Sequence, residues 1–171
     1  MQGSGFSVLI YGETGRGKTR LAWVMARLMA GVRPGGVFVA DFAPARMGVG
    51  APMPPVPGAI VRRPSGLRAP RLESGGDCGV AWRLAQENAR LTSAVLEEYL
   101  SGPGRALVVN DLTIHVHAGD PGLLLRAIEA APAFVGTAYY GSRISDECGL
   151  SEREMRFVED LASRVDVAWR L

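Results

Sequence analysis

With 171 residues, 47% of them apolar, the chain is long enough to bury one real core and too short to expect two. Its formal charge of +2 is too small to mark a dedicated nucleic-acid binder, and neither end carries a tail of one sign. The two cysteines, Cys78 and Cys148, stand far apart and form no CxxC pair, which argues against a zinc knuckle or a disulfide framework and suits a reducing cytoplasm.

The amino terminus, MQGSGFSVLIYGE, has no basic stretch ahead of its apolar one and runs directly into a strand over Phe6 to Tyr11, against a cleaved leader. A glycine-rich turn follows. Leu21, Val24, Met25 and Leu28 then recur at helical spacing, with Gly31 as the stop. Gly36 to Asp41 reads as a second apolar strand ending on a carboxylate. Trp82 to Leu100 is the longest helical pattern, with Leu84, Leu91, Val95 and Tyr99 on one stripe, closed by Ser101, Gly102 and Pro103. Ala106 to Asp111 makes a third strand. Asp120 and Pro121 form an N-cap and N1 pair for a helix through Ala130, and Phe134 to Tyr139 is a fourth strand. Ser151 and Glu154 have capping-box spacing for a helix to about Arg164, and Val165 to Leu171 closes the order as a fifth strand. Strands alternating with helices imply an α/β fold of three layers: a parallel sheet of about five strands with helices on both faces, in one domain over residues 1–171.

One segment breaks the alternation. Residues 42–79 hold seven of the eleven prolines, seven glycines and Arg46, Arg62, Arg63, Arg68 and Arg71. A structureless stretch of this length inside a domain is either functional or disordered, and its arginines make it the candidate contact for a nucleic acid or a protein partner. Within it, AIVRRPSGLRAPRL has the composition of a small edge hairpin turning at Ser65 and Gly66. The longest uncharged run, Gly48 to Val61, contains four prolines and is unsuited to a bilayer, so no membrane partner is expected.

Lys18 is the single lysine among nineteen basic residues, and its setting is distinctive. Gly12, Glu13, Thr14, Gly15, Arg16, Gly17, Lys18 and Thr19 fit GxxxxGK[ST], the Walker A pattern, between an apolar strand and an amphipathic helix. The glycines let successive N–H groups turn toward phosphate oxygens, and the helix start adds its positive end. Lys18 offers a compact ammonium on a flexible stem, which a planar guanidinium does not replace, and the Thr19 hydroxyl suits magnesium. A nucleoside triphosphate is the expected ligand.

On these residues and the element order, the chain outside 42–79 resembles the P-loop NTPases, and most closely their RecA-like branch, which includes the KaiC clock ATPases. The resemblance implies a magnesium-dependent ATPase coupling hydrolysis to a conformational or assembly change, with ATP and Mg2+ as cofactors and a homo-oligomer as a candidate partner state. It also implies a Walker B carboxylate at the end of ALVVND; Asp111 is the acid there, though strict register puts Asn110 at that position. A catalytic carboxylate is implied near the end of the second strand, where Asp41 stands. Lys18, Asp41 and Asp111 are therefore the expected catalytic residues, and Thr19 and Asp111 the expected metal ligands. Without a second lysine there is no NKxD signature, which favours adenine over guanine.

If the third strand continues through DLTIHVH, Asp111, Thr113, His115 and His117 share one face. That places Thr113 as a candidate γ-phosphate sensor, and the two imidazoles as a weaker candidate metal pair. Arg143, after the fourth strand, is a candidate arginine finger. Two other functions fit the same loop: a small-molecule or nucleotide kinase, and a non-hydrolysing nucleotide-dependent assembly or DNA-associated protein.

Overall fold

The computed structural model describes residues 5–45, 48 and 50–171. Residues 1–4, where the leader argument begins, and Arg46 of the arginine-rich segment lie outside the described residues.

The alternation expected from the sequence is present. β1 (Phe6–Gly12), α1 (Lys18–Val32), β2 (Val37–Asp41), β3 (Ile60–Arg62), α2 (Pro70–Glu73), α3 (Cys78–Ser101), β4 (Ala106–Asn110), α4 (Thr113–Val116), α5 (Pro121–Ala130), β5 (Ala133–Tyr139), α6 (Leu150–Ala162) and β6 (Val167–Arg170) follow in chain order. The strands form one sheet in the order β3-β2-β4-β5-β1-β6, and every pairing is parallel. The sheet has six strands where five were expected. The extra one is β3, supplied by the proline-rich segment, which pairs parallel to β2 at the sheet edge instead of turning into a hairpin.

Strand side chains alternate between faces, and the two cores show it. Leu9 belongs with Phe38, Val95, Leu96, Leu124 and Phe157 on the face covered by α3, α5 and α6. Val8 and Ile10 belong with Val39, Ala22, Ala26 and Ala30 on the face covered by α1, where Met53 and Val56 also pack. α1 approaches the sheet through those three alanines rather than through the expected stripe: Val24 and Leu28 are exposed. Small side chains at i, i+4 and i+8 let the helix lie close, and the larger residues flank the contact.

Two helix starts differ from their sequence signatures. α3 begins earlier than expected because Asp77 caps it, accepting from the Val80 N–H at 3.0 Å. At α6 the Ser151/Glu154 box does not form. Asp146 takes the Ser151 N–H and hydroxyl, at 2.8 and 2.6 Å, and Glu154 turns inward. Asp120 does cap α5, with Pro121 in the first turn.

The cysteine expectation is overturned. Cys78 and Cys148, 70 residues apart in sequence, form a disulfide with Cα atoms 5.2 Å apart. The starts of α3 and α6 meet there around Ala81, Ala85 and Leu150, and the Trp82 indole N–H donates to the Cys148 carbonyl at 3.0 Å. Sequence distance alone conceals such a meeting, and the cysteine argument for a reducing compartment falls with it. Among the described residues no helix is long and apolar enough to cross a membrane.

Candidate functional site

In a parallel sheet all strands end at one edge, where ligands of open α/β sheets bind. Here β1 delivers the glycine-rich loop to that edge, β2 delivers Asp41, β4 delivers Asn110 and Asp111, and β5 delivers Tyr139. A cavity of about 400 Å³ opens there, lined by residues 14–20 of the loop, by Asp111, Thr113, His117 and Thr137, and by Ala69 to Leu72 and Ile144.

The loop has the backbone its glycines permit. Gly15 and Gly17 have φ of 74° and 86°, and a Cβ on either would meet nothing within 4 Å, so the concave side is open. Gly12 is different: at φ 143° a Cβ would stand 2.2 Å from the Leu171 carbonyl oxygen. The Lys18 ammonium donates to the Glu13 carbonyl at 2.5 Å, folded back across the loop. Burial lowers its pKa, and the charges of Asp111, Glu13 and Glu154 oppose that shift. Glu13 has a task outside the cradle. Its carboxylate accepts from the Ser142 N–H at 2.8 Å and the Tyr139 hydroxyl at 3.1 Å, tying the loop to the segment after β5. The Ser142 hydrogen bond is the main cause of its lowered pKa.

Asn110, not Asp111, meets the first turn of α1. The Thr19 hydroxyl donates to Asn110 Oδ1 at 3.1 Å, and Thr137 donates to the same oxygen at 2.9 Å. The Asn110 amide nitrogen donates to Asp41 Oδ1 at 2.8 Å and to the Ala51 carbonyl at 3.0 Å. An aspartate at 110 would set a second carboxylate against Asp41 and lack both donors, so the amide is the residue this position requires.

Asp41 is fully buried and its oxygens are occupied. Besides Asn110 it accepts from the Met53 N–H at 2.8 Å and from Arg63 Nε and Nη2 at 2.8 and 2.6 Å. It does not line the cavity. Arg63 comes from the arginine-rich segment, and only the structure reveals this pairing; no local pattern links residues 22 apart.

Asp111 does line the cavity. It sits at φ 58°, a left-handed conformation that aspartate tolerates better than most residues, and this ends β4. The strand therefore does not continue through DLTIHVH. α4 turns there, and the expected shared face of Asp111, Thr113, His115 and His117 is replaced by a helical arrangement. The Asp111 N–H donates to the Thr137 hydroxyl at 2.8 Å, and its carboxylate accepts from Thr113 at 3.3 Å. Burial, then the nearby Glu154 charge, push its pKa up to about 6, against the pull of His117, Lys18 and Arg71.

The two histidines divide. His115 is satisfied at both ring nitrogens, by Thr92 at 2.8 Å and the Asp120 carbonyl at 3.0 Å, and burial lowers its pKa. His117 lines the cavity with Nε2 on Glu154 at 2.7 Å. They do not converge as a metal pair. Arg143 is exposed beside Glu13 and does not line the cavity. Besides β3, the described part of 42–79 supplies the counter-charge for Asp41 and, through Ala43, Pro44, Ala51 and α2, part of the cavity lining. Arg71 of α2 is 8% exposed and is held by Ile144 O, Ser151 and Glu154.

The donor set suits a hard cation only in part. Thr19, Asn110 and Asp111 offer oxygens, but no cluster of three His, Cys, Asp or Glu able to hold a metal occurs among the described residues.

No family model matches the chain, and no curated protein matches it.

Proposed function

We propose that this chain is a magnesium-dependent ATP-binding enzyme of the RecA-like P-loop class, hydrolysing ATP and coupling that to a conformational or assembly change. The observation that carries the reading is the strand, glycine loop and helix unit, with Lys18, Thr19 and Asp111 lining one cavity. The strand order supports the RecA-like branch, since β5 lies between the loop strand β1 and the acid-bearing strand β4.

In this reading the loop N–H groups and Lys18 hold the β and γ phosphates, and the ammonium leaves the Glu13 carbonyl to do so. Thr19 and Asp111 hold magnesium, which when bound neutralises charge developing on the phosphates. Asp41 acts through Asn110: the chain of hydrogen bonds from Arg63 to Asp41, Asn110 and Thr19 fixes the hydroxyl in place. The absence of an NKxD signature supports adenine. In a homo-oligomer, Arg143, exposed beside the loop, is the candidate finger for a neighbour's site.

A second reading, phosphoryl transfer to a hydroxyl-bearing acceptor, is favoured by the wall that Ala69 to Leu72 add beyond the loop. Calorimetry with ATP and magnesium, together with phosphate release, tests both. Binding by the wild type, with both signals lost in Lys18→Ala, is the expected result; turnover only after an acceptor is added selects the second reading. No heat with any nucleoside triphosphate overturns both.

A further inference from the structure

The hydrolytic reading needs a group to receive the proton of the attacking oxygen, and Asp41, the carboxylate expected to do so, has its oxygens occupied by Arg63, Met53 and Asn110. We infer that His117 fills this role: Nδ1 accepts the hydrogen bond from the O–H of the nucleophile, and Glu154 holds the ring in the tautomer that makes this possible. The inference rests on the proposed phosphoryl-transfer function.

His117 caps the C-terminal end of α4 and is 1% exposed, yet it lines the cavity that contains Lys18 and Asp111. Its Nε2 lies 2.7 Å from Glu154 Oε2. Glu154 is itself 1% exposed and is paired with Arg71 at 3.2 Å, so its charge is balanced and its position fixed from the far side. An ionised carboxylate only accepts, so in the neutral ring the proton sits on Nε2 and Nδ1 keeps a lone pair.

That lone pair has no partner: among the described residues, Nδ1 of His117 is the buried side-chain polar atom without a hydrogen bond. Leaving such an atom unpaired opposes folding, so an unmatched one on a side chain that lines a cavity marks a group kept for a guest. The neighbouring His115 supplies the contrast, being partnered at both nitrogens and away from the cavity. A carboxylate, an imidazole and a nucleophilic O–H in series is the general arrangement by which a histidine activates oxygen.

The step balances. The oxygen of water attacks the γ phosphorus, its proton passes to His117 Nδ1, and the bond from the γ phosphorus to the bridging oxygen breaks. ADP leaves with the bonding pair, inorganic phosphate forms, and Nδ1 then returns the proton to solvent. With an alcohol in place of water the same transfer gives a phosphate ester.

Two measurements test this. Gln in place of His117 keeps an N–H donor for Glu154 but has no atom where Nδ1 stood. His117→Gln is expected to lower kcat by about 10²- to 10⁴-fold while ATP affinity by calorimetry stays within about twofold, since only the proton-accepting atom is removed. Wild-type kcat in this variant overturns the inference. Nitrogen NMR of labelled histidine in the unliganded wild-type protein needs neither turnover nor a variant that folds. It is expected to show His117 as the Nε2–H tautomer, and a proton on Nδ1 overturns the assignment. Absence of ATP binding by the wild type instead overturns the proposed function and this inference with it, so the two failures are distinct.

Discussion

Replacing Asp111 by asparagine should make the empty protein more stable while disabling it. Asparagine accepts the left-handed backbone at φ 58° as well as aspartate does, and its Oδ1 can still receive the Thr113 hydroxyl, so the change isolates the charge. The carboxyl pKa is raised from 3.8 to about 6. A raised folded value means that the folded state holds the proton more tightly. This favours folding below the unfolded pKa, and the advantage is lost as pH rises through the folded one. Above about pH 6 the ionised side chain therefore weighs against folding by up to about 3 kcal/mol, at about 1.4 kcal/mol per pH unit of displacement. The figure is an upper value, because Asp111 opens in part to the cavity. For a chain of this length it corresponds to a melting temperature about 6–12 °C higher in Asp111→Asn at pH 8. The gain should be about half as large near pH 5. Thermal unfolding followed by circular dichroism, with chelator and no nucleotide, measures both. Adding ATP and magnesium should stabilise the wild type and leave the variant nearly unmoved. An equal or lower melting temperature for the variant at pH 8, or a gain that does not change with pH, refutes the reasoning.

Two further outcomes are expected. In the loop, Gly15→Ala should cost about 1–2 kcal/mol through its positive φ alone, whereas Gly12→Ala should cost more, because its Cβ would also strike the Leu171 carbonyl; denaturant titration ranks the two. Thiol titration of the unfolded, unreduced protein should find no free cysteine, and Cys78→Ser should lower stability by up to about 4 kcal/mol, the loop-entropy value for 70 residues. Two titratable thiols in the native preparation would remove the basis of the second figure.

What was legible in the sequence is what the chain writes contiguously. Five of the six strands show as apolar runs, α5 announces itself by Asp120 and Pro121, and the glycine loop by eight consecutive residues. What stayed hidden depends on approach in space. Nothing local says that Cys78 meets Cys148, that Arg63 meets Asp41, or that Glu154 leaves its helix cap for His117. The break after Asn110 was misread because Thr113, Ile114 and Val116 are good strand formers; the left-handed turn at Asp111 overrides them, and no composition rule signals it. Likewise α1 presents alanines to the sheet, since closeness of packing rather than side-chain size sets which face is covered.

The ion pair between Arg63 and Asp41 makes the proline-rich stretch inseparable from the sheet. A shortened chain lacking 42–79 would take from Asp41, at the tip of β2, both its Arg63 counter-charge and the Met53 N–H donor. It would also strip away the edge strand and one side of the ligand chamber. What reads in one dimension as ornament is, in three, a keystone: trimming it would yield a broken molecule rather than a minimal one.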